Sequence, residues 1–107
     1  MSLKIISSSK DFTKKLHTII DLFVKKSEQY SDGKDILSAF RKAGFIHGDG
    51  SVKSMFEAML VYKGKHDLAL AEHGLDLPDA QERLHDIIVY CVLGSLMIDE
   101  MHSKDKL

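Results

Sequence analysis

The sequence predicts an all-α protein built as a bundle of about four helices. Between the breaks, apolar residues recur at steps of three and four, which is the spacing of one helix face. No segment of alternating apolar and polar residues lies between hairpin turns. The chain has 107 residues, enough for one domain with a single core. We therefore expect one domain over residues 1–107, with residues 1–8 and 103–107 loosely ordered.

The first two predicted helices differ in length. The first runs from about Ser9 to Tyr30, and Asp11 in its first turn is typical of a helix start. Its apolar stripe consists of Phe12, Leu16, Ile19, Ile20, Phe23 and Val24. A shorter helix is predicted over residues 35–43, and we expect Gly44 to end it.

Two longer helices complete the predicted bundle. Ser51 is a suitable N-cap for a helix that continues to about Glu72. Gly64, in the middle of that helix, costs about 1 kcal/mol relative to alanine and indicates a kink or a close approach. After a break, Pro78 suits the first turn of a last helix over about residues 79–102.

Composition and charge disfavour several classes of protein and of site. With 15 Lys+Arg against 16 Asp+Glu, the net charge of -1 disfavours a dedicated nucleic-acid-binding protein. The single cysteine, Cys91, excludes an intrachain disulfide and a cysteine-rich zinc site, and it favours a cytoplasmic location. No apolar run reaches the roughly 18 residues of a membrane span. The apolar helix faces exceed what one small bundle buries, so we expect a homo-oligomer.

The last predicted helix carries the most specific chemical pattern. Glu82, Asp86 and Tyr90 follow one another at four-residue steps and project from one side. Two carboxylates one turn apart can share Mg²⁺, which takes oxygen ligands and commonly bridges to substrate phosphates. Glu28, near the end of the first helix, is a third candidate ligand. The alternative is an ordinary solvated pair of acids, with Arg83 nearby for charge balance.

Basic and aromatic residues supply candidate binding groups. Lys63, Lys65 and His66 form a small basic group on the third helix, and such a group can contact phosphate oxygens. Tyr30 can stack or form a hydrogen bond. The alternatives are a solvated helix face for the basic group and a half-buried helix end for Tyr30.

Taken together, these motifs resemble a family. Residues 25–31 (KKSEQYS) and 39–44 (AFRKAG) are similar to a Lys-x-x-Asp-Tyr-(Gly/Ser) motif followed by a short helix of the Phe-(Arg/Lys) type. Lys65 and His66 resemble a lysine-bearing central helix, and residues 82–90 resemble a closing helix with the pattern Glu/Asp-x-x-x-Asp-(Leu/Ile)-Ile-Asn-Tyr. In this order, over residues 16–98, they resemble phage and prophage nucleotide-modification-associated and MazG-like proteins, the all-α nucleoside triphosphate pyrophosphatases.

The resemblance implies an oligomeric helical bundle in a bacterial cytoplasm, encoded by a phage or prophage. The implied reaction is Mg²⁺-dependent hydrolysis of a nucleoside triphosphate to a monophosphate and pyrophosphate. Carried over by position, Glu82 and Asp86 are the implied catalytic and metal-binding residues. The implied substrate-binding residues are Tyr30, Lys63, Lys65, His66 and Tyr90.

Two positions depart from the family pattern. Gln29 stands where an acidic residue is expected before Tyr30, and Val89 stands where an asparagine is expected before Tyr90. An early Glu-x-x-Glu motif is also absent from the sequence. Since an amide is a poorer Mg²⁺ ligand than a carboxylate, these departures favour an alternative, a non-catalytic protein that binds a nucleotide or sequesters a nucleotide-derived host defence messenger. A second alternative is a helical protein-interaction module.

Overall fold

The computed structural model is all-helical over the residues that it describes. It describes the backbone of residues 7–31 and 34–105, and the side chains of residues 7–28 and 34–103. The helices are α1 (Ser9–Ser31), α2 (Ser38–His47), α3 (Val52–His73) and α4 (Ala80–Asp105), with a 3₁₀ turn at Gly74–Asp76. No strand occurs in these ranges, so the predicted all-α class with four helices is confirmed.

The chain divides into two compact units. The first, Met1–Lys34, contains α1, and the second, Asp35–Leu107, contains the other three helices. The predicted single domain stays a prediction. None of the helices in the described ranges is long and apolar enough to cross a membrane.

In the first unit, α1 has the predicted start and a defined cap. The backbone N–H of Asp11 donates to the hydroxyl oxygen of Ser8 at 3.2 Å, and that hydroxyl donates to the Asp11 carboxylate. The first bond satisfies a free backbone donor of the first turn, and the second holds the Asp11 carboxylate beside the cap. Residues close to one another in the chain therefore fix the start of α1, the helix that carries the predicted apolar stripe.

In the second unit, α2 continues past Gly44, so the predicted stop there is wrong. Gly44 is buried, and a Cβ atom built on it would lie 2.9 Å from Met55 Cγ and 3.3 Å from the Met55 backbone nitrogen. Only glycine permits this approach without a shift of the neighbouring helix. Gly44 therefore marks the contact between α2 and α3, and α2 ends three residues later at His47.

A hydrogen-bond network holds the turn between α2 and α3. The Ser54 backbone N–H donates to Ser51 Oγ at 3.2 Å, which confirms Ser51 as the N-cap of α3. The Asp49 carboxylate accepts from the Ser51 backbone N–H at 3.0 Å and from Ser54 Oγ at 2.9 Å. Hydrogen bonding, chiefly with the Ser51 side chain, lowers the pKa of Asp49 to about 2.

The core of the second unit lies where α2, α3 and α4 meet. Its buried apolar side chains are Leu37, Phe40, Ala43, Met55, Ala58, Met59, Leu93 and Met97. Leu37 directly precedes α2, and the other seven come from all three helices, so none of the three can leave without exposing apolar surface.

Arg41 links the segment before α2 to α4. Its Nε donates to Asp35 Oδ2 at 2.6 Å, and its Nη2 donates to Glu100 Oε1 at 2.7 Å. A second bond, from Nη1 to Glu100 Oε2 at 3.1 Å, makes the pairing with Glu100 bidentate. The hydrogen bond from Arg41 also lowers the pKa of Asp35. All three side chains are partly exposed, so the network mainly orients α2 and adds little stability.

The connection from α3 to α4 is short and confirms the predicted break. Gly74 has a positive φ of 60°, which favours glycine, and its backbone N–H donates to the Leu70 carbonyl. Pro78 lies in the turn just before α4, and α4 extends to Asp105, beyond the predicted end at residue 102. A kink or a close approach was expected at Gly64. The close approach is wrong within the described residues, because no atom lies within 4 Å of a Cβ built there, and the kink stays a prediction.

Two of the glycines inside the helices, Gly44 and Gly64, predict stability changes of opposite sign. Gly44→Ala should lower the free energy of unfolding by about 1–3 kcal/mol, because the new methyl group overlaps Met55. Gly64→Ala should raise it by up to about 1 kcal/mol, because alanine is the better helix former and meets open space. Urea unfolding of the two variants measures both changes. Shifts in the same direction would contradict the packing described for Gly44.

Asp49 predicts a pH dependence of stability. Its folded-state pKa of about 2 lies below the ordinary value of 3.8, so its contribution is present above pH 3.8 and is lost as the pH falls toward 2. Asp49→Asn should therefore lose less stability than the wild type between pH 5 and pH 2. Urea unfolding at several pH values measures this difference. Parallel pH profiles would show that Asp49 titrates normally in the folded protein.

Candidate functional site

Four polar and aromatic residues from α3 and α4 meet on the second unit. We call His66, Arg83, Asp86 and Tyr90 the His66 cluster. His66 lies on α3, and the other three follow one another along one side of α4 at steps of three and four residues. Three of the residues that the sequence singled out, His66, Asp86 and Tyr90, are thus brought together.

Two charged side chains flank the imidazole ring of His66. Arg83 Nη1 lies 3.3 Å from His66 Nδ1, and Arg83 Nε donates to Asp79 Oδ1 at 3.1 Å. A guanidinium group can only donate, so Nδ1 accepts and the proton of a neutral imidazole is on Nε2. That nitrogen lies 3.5 Å from Asp86 Oδ2. His66 therefore lies between a guanidinium group at one ring nitrogen and a carboxylate near the other.

Tyr90 connects this polar group to the core. Its ring centroid is 5.8 Å from that of His66 and 5.9 Å from that of Phe40, which it meets edge to face. Phe40 in turn packs against Tyr62 at 5.8 Å. Burial, followed by the charge of Asp86, raises the pKa of the Tyr90 phenol above its ordinary value of 10. Tyr90 is therefore a neutral hydrogen-bonding group at physiological pH.

The two predicted phosphate-contacting lysines are placed differently. Lys63 Nζ forms an ion pair with Asp67 Oδ2 at 2.8 Å, and this hydrogen bond raises the pKa of Lys63. Lys65 is exposed, with its Nζ 5.7 Å from the ring centroid of Tyr62. Because Lys63 already has an anionic partner, Lys65 is the better placed of the two to meet an incoming anion.

Two of the predicted metal ligands, Glu82 and Asp86, lie on α4 in the second unit. Asp86 is half-exposed, and Glu82 is exposed one turn earlier, without a hydrogen bond or ion pair to the described side chains. These two carboxylates fit Mg²⁺, which often takes one or two protein carboxylates plus water and phosphate. No group of three or more His, Cys, Asp or Glu side chains in the described ranges is arranged to hold a metal ion.

Two predicted residues belong to the first unit. Glu28 is exposed on α1, so its joining Glu82 and Asp86 at one metal ion stays a prediction. The side chain of Tyr30 lies outside the described residues, as does that of Gln29. The predicted role of Tyr30 is therefore also untested.

Two residues of this neighbourhood were not predicted as site residues. Arg83 was expected only to balance charge, and Tyr62, whose hydroxyl lies 3.4 Å from His47 Nε2, was not among the predicted residues. A signal was present in the helical spacing. Tyr62 precedes His66 by four residues, and Arg83 precedes Asp86 by three.

Comparison with protein-family models, with curated proteins and with solved structures gave no match. The family resemblance of the sequence motifs stays a prediction. The functional inference for this chain rests on the geometry of the His66 cluster.

Tyr90 predicts a titration that absorbance can follow. Because burial favours its neutral form, one of the three tyrosines should ionise above pH 10, and Tyr90→Phe should remove that phase. The raised pKa also means that its contribution to stability is present below pH 10 and is lost as the pH rises through the folded value. Tyrosinate absorbance of the wild type and Tyr90→Phe tests this. Tyr62→Phe is the control and should leave the highest-pH phase in place.

Proposed function

We propose that the protein binds a nucleotide, or a signalling molecule derived from one, at the His66 cluster. The observation that carries this proposal is the convergence of His66, Asp86 and Tyr90. Each of the three was predicted from the sequence to bind a metal ion or a nucleotide. His66 lies on α3, whereas Asp86 and Tyr90 lie on α4. This grouping follows from the packing of α3 on α4.

The cluster offers the three kinds of contact that a nucleotide needs. The rings of His66 and Tyr90 are tilted by 33° and can pack against a base. The Tyr90 hydroxyl and the Asp86 carboxylate can form hydrogen bonds with base or sugar. Lys65, exposed and adjacent to His66 in the chain, can pair with phosphate oxygens.

Calorimetry with a panel of ribonucleotides, deoxyribonucleotides and cyclic dinucleotides tests this proposal. Lys65→Gln should weaken binding roughly 10-fold or more, the usual size of one lost charge-assisted hydrogen bond. Lys53→Gln, an exposed lysine on the same helix, is the matched control and should bind like the wild type. If no member of the panel binds the wild type, the proposal is wrong.

Hydrolysis is a second candidate. It is favoured by Glu82, one turn before Asp86, which is exposed and has no ion pair with the described side chains. In this reaction water attacks the α-phosphorus and the bond to the bridging oxygen breaks, which releases a nucleoside monophosphate and pyrophosphate. Bound Mg²⁺ would supply charge neutralisation and activation of water. The roles left to the chain are to hold that ion through Glu82 and Asp86 and to orient the phosphates through Lys65.

Pyrophosphate release in the presence of Mg²⁺ or Mn²⁺ separates the two candidates. If the protein is a hydrolase, Glu82→Gln and Asp86→Asn should each abolish turnover, whereas Asp76→Asn, in the 3₁₀ turn, should not. Binding without turnover by the wild type would exclude hydrolysis of the nucleotides tested and leave the binding proposal intact.

A further inference from the structure

Asp86 is the member of the His66 cluster that is placed to accept hydrogen bonds from a ligand. Its Oδ2 lies 3.5 Å from His66 Nε2, its side chain is 50% exposed, and it forms no further ion pair with a described side chain. Arg83, by contrast, is already engaged by Asp79 and His66. Because a carboxylate accepts through two oxygens and donates nothing, Asp86 selects for ligand groups that carry N–H or O–H donors.

A cation lies beside a different ring of the same neighbourhood. Lys65 is exposed, and its Nζ is 5.7 Å from the ring centroid of Tyr62, which precedes His66 by one helical turn on α3. The positive and negative charges therefore orient a nucleotide that reaches both of them. Its phosphate pairs with Lys65, and its base lies beside His66 and Asp86.

The bases differ in what they present to a carboxylate. Guanine carries two neighbouring donors, the N1–H and the 2-amino group, so it can pair with both oxygens of a carboxylate at once. Adenine and cytosine place an acceptor ring nitrogen beside their amino group, and uracil places its N–H between two carbonyl oxygens. In these three bases the neighbouring acceptor repels the second carboxylate oxygen. An acceptor-only group such as Asp86 therefore favours guanine.

We propose that the nucleotide bound at the His66 cluster is a guanine nucleotide, whose N1–H and 2-amino group donate to the two oxygens of Asp86. This assignment of the base rests on the proposed function and adds to it the identity of the ligand. A bidentate pair of this kind discriminates between bases by about 10-fold or more. Asp86 in this role is not a ligand of Mg²⁺, so the selection of the base needs no metal ion.

Calorimetry with GMP, IMP, AMP, CMP and UMP, in EDTA to remove divalent metal ions, tests this selection. GMP should bind about 10-fold or more tightly than AMP, CMP or UMP. IMP keeps the N1–H but lacks the 2-amino group, so it should bind about 10-fold less tightly than GMP. Equal or tighter binding of any of the other four would overturn the selection of guanine and leave the proposed function standing. If none of the five binds, the selection of guanine is also wrong, and the wider panel of nucleotides tests the proposed function separately.

Asp86→Asn assigns the selection to this carboxylate. An amide presents one acceptor and one donor, so the variant should lose the preference for GMP over IMP. Its helical circular dichroism should be unchanged, because the side chain of Asp86 is 50% exposed. Asp76→Asn, at an exposed position in the 3₁₀ turn, is the matched control and should keep the preference of the wild type. A folded Asp86→Asn variant that still prefers GMP over IMP by the wild-type ratio would overturn the role proposed for Asp86.

Discussion

The close contact between Gly44 and Met55 decides where the rest of the second unit lies. It seats α2 directly against the backbone of α3, which places Phe40 beside both Tyr62 and Tyr90. Tyr90 is thereby held next to His66, and the ring of Phe40 packs against Tyr90 of the His66 cluster. Close-packed interiors transmit small displacements. A methyl group added at Gly44 would therefore also displace side chains of the His66 cluster.

Most helix boundaries could be predicted because they are set by local chemistry. The periodicity of α1 and the hydroxyl of Ser51 act over a few residues, and the structure agrees with both. The roles of Gly44 and Gly64 inside their helices could not be predicted, because they depend on whether another helix lies opposite. Gly44 was expected to stop a helix and instead permits a contact. Gly64 was expected to mark a kink or a close approach, and no described atom lies within 4 Å of a Cβ atom built there.

The same division between local and tertiary information applies to the candidate site. Helical spacing indicated that Asp86 and Tyr90 share a side of α4, and a basic group was evident around His66. Helical spacing could not indicate that Arg83 reaches His66 Nδ1 or that Lys63 is paired with Asp67. Other rotamers would leave both side chains in solvent. The sequence motifs predict a shared site that includes Glu28 and Tyr30, whereas the geometry described for the cluster comes from the second unit alone.

The core of that unit is unusually rich in thioethers. Met55, Met59 and Met97 are 1%, 3% and 0% exposed, so an oxidant in solution cannot reach their sulfur atoms while the helices stay packed. Conversion of any of them to the sulfoxide would place a polar group where no water reaches, and the helices would have to separate first. Slow peroxide labelling, followed by mass spectrometry, would therefore record how often this core opens. Sulfoxide formation at these three methionines thus reports on local unfolding of the second unit.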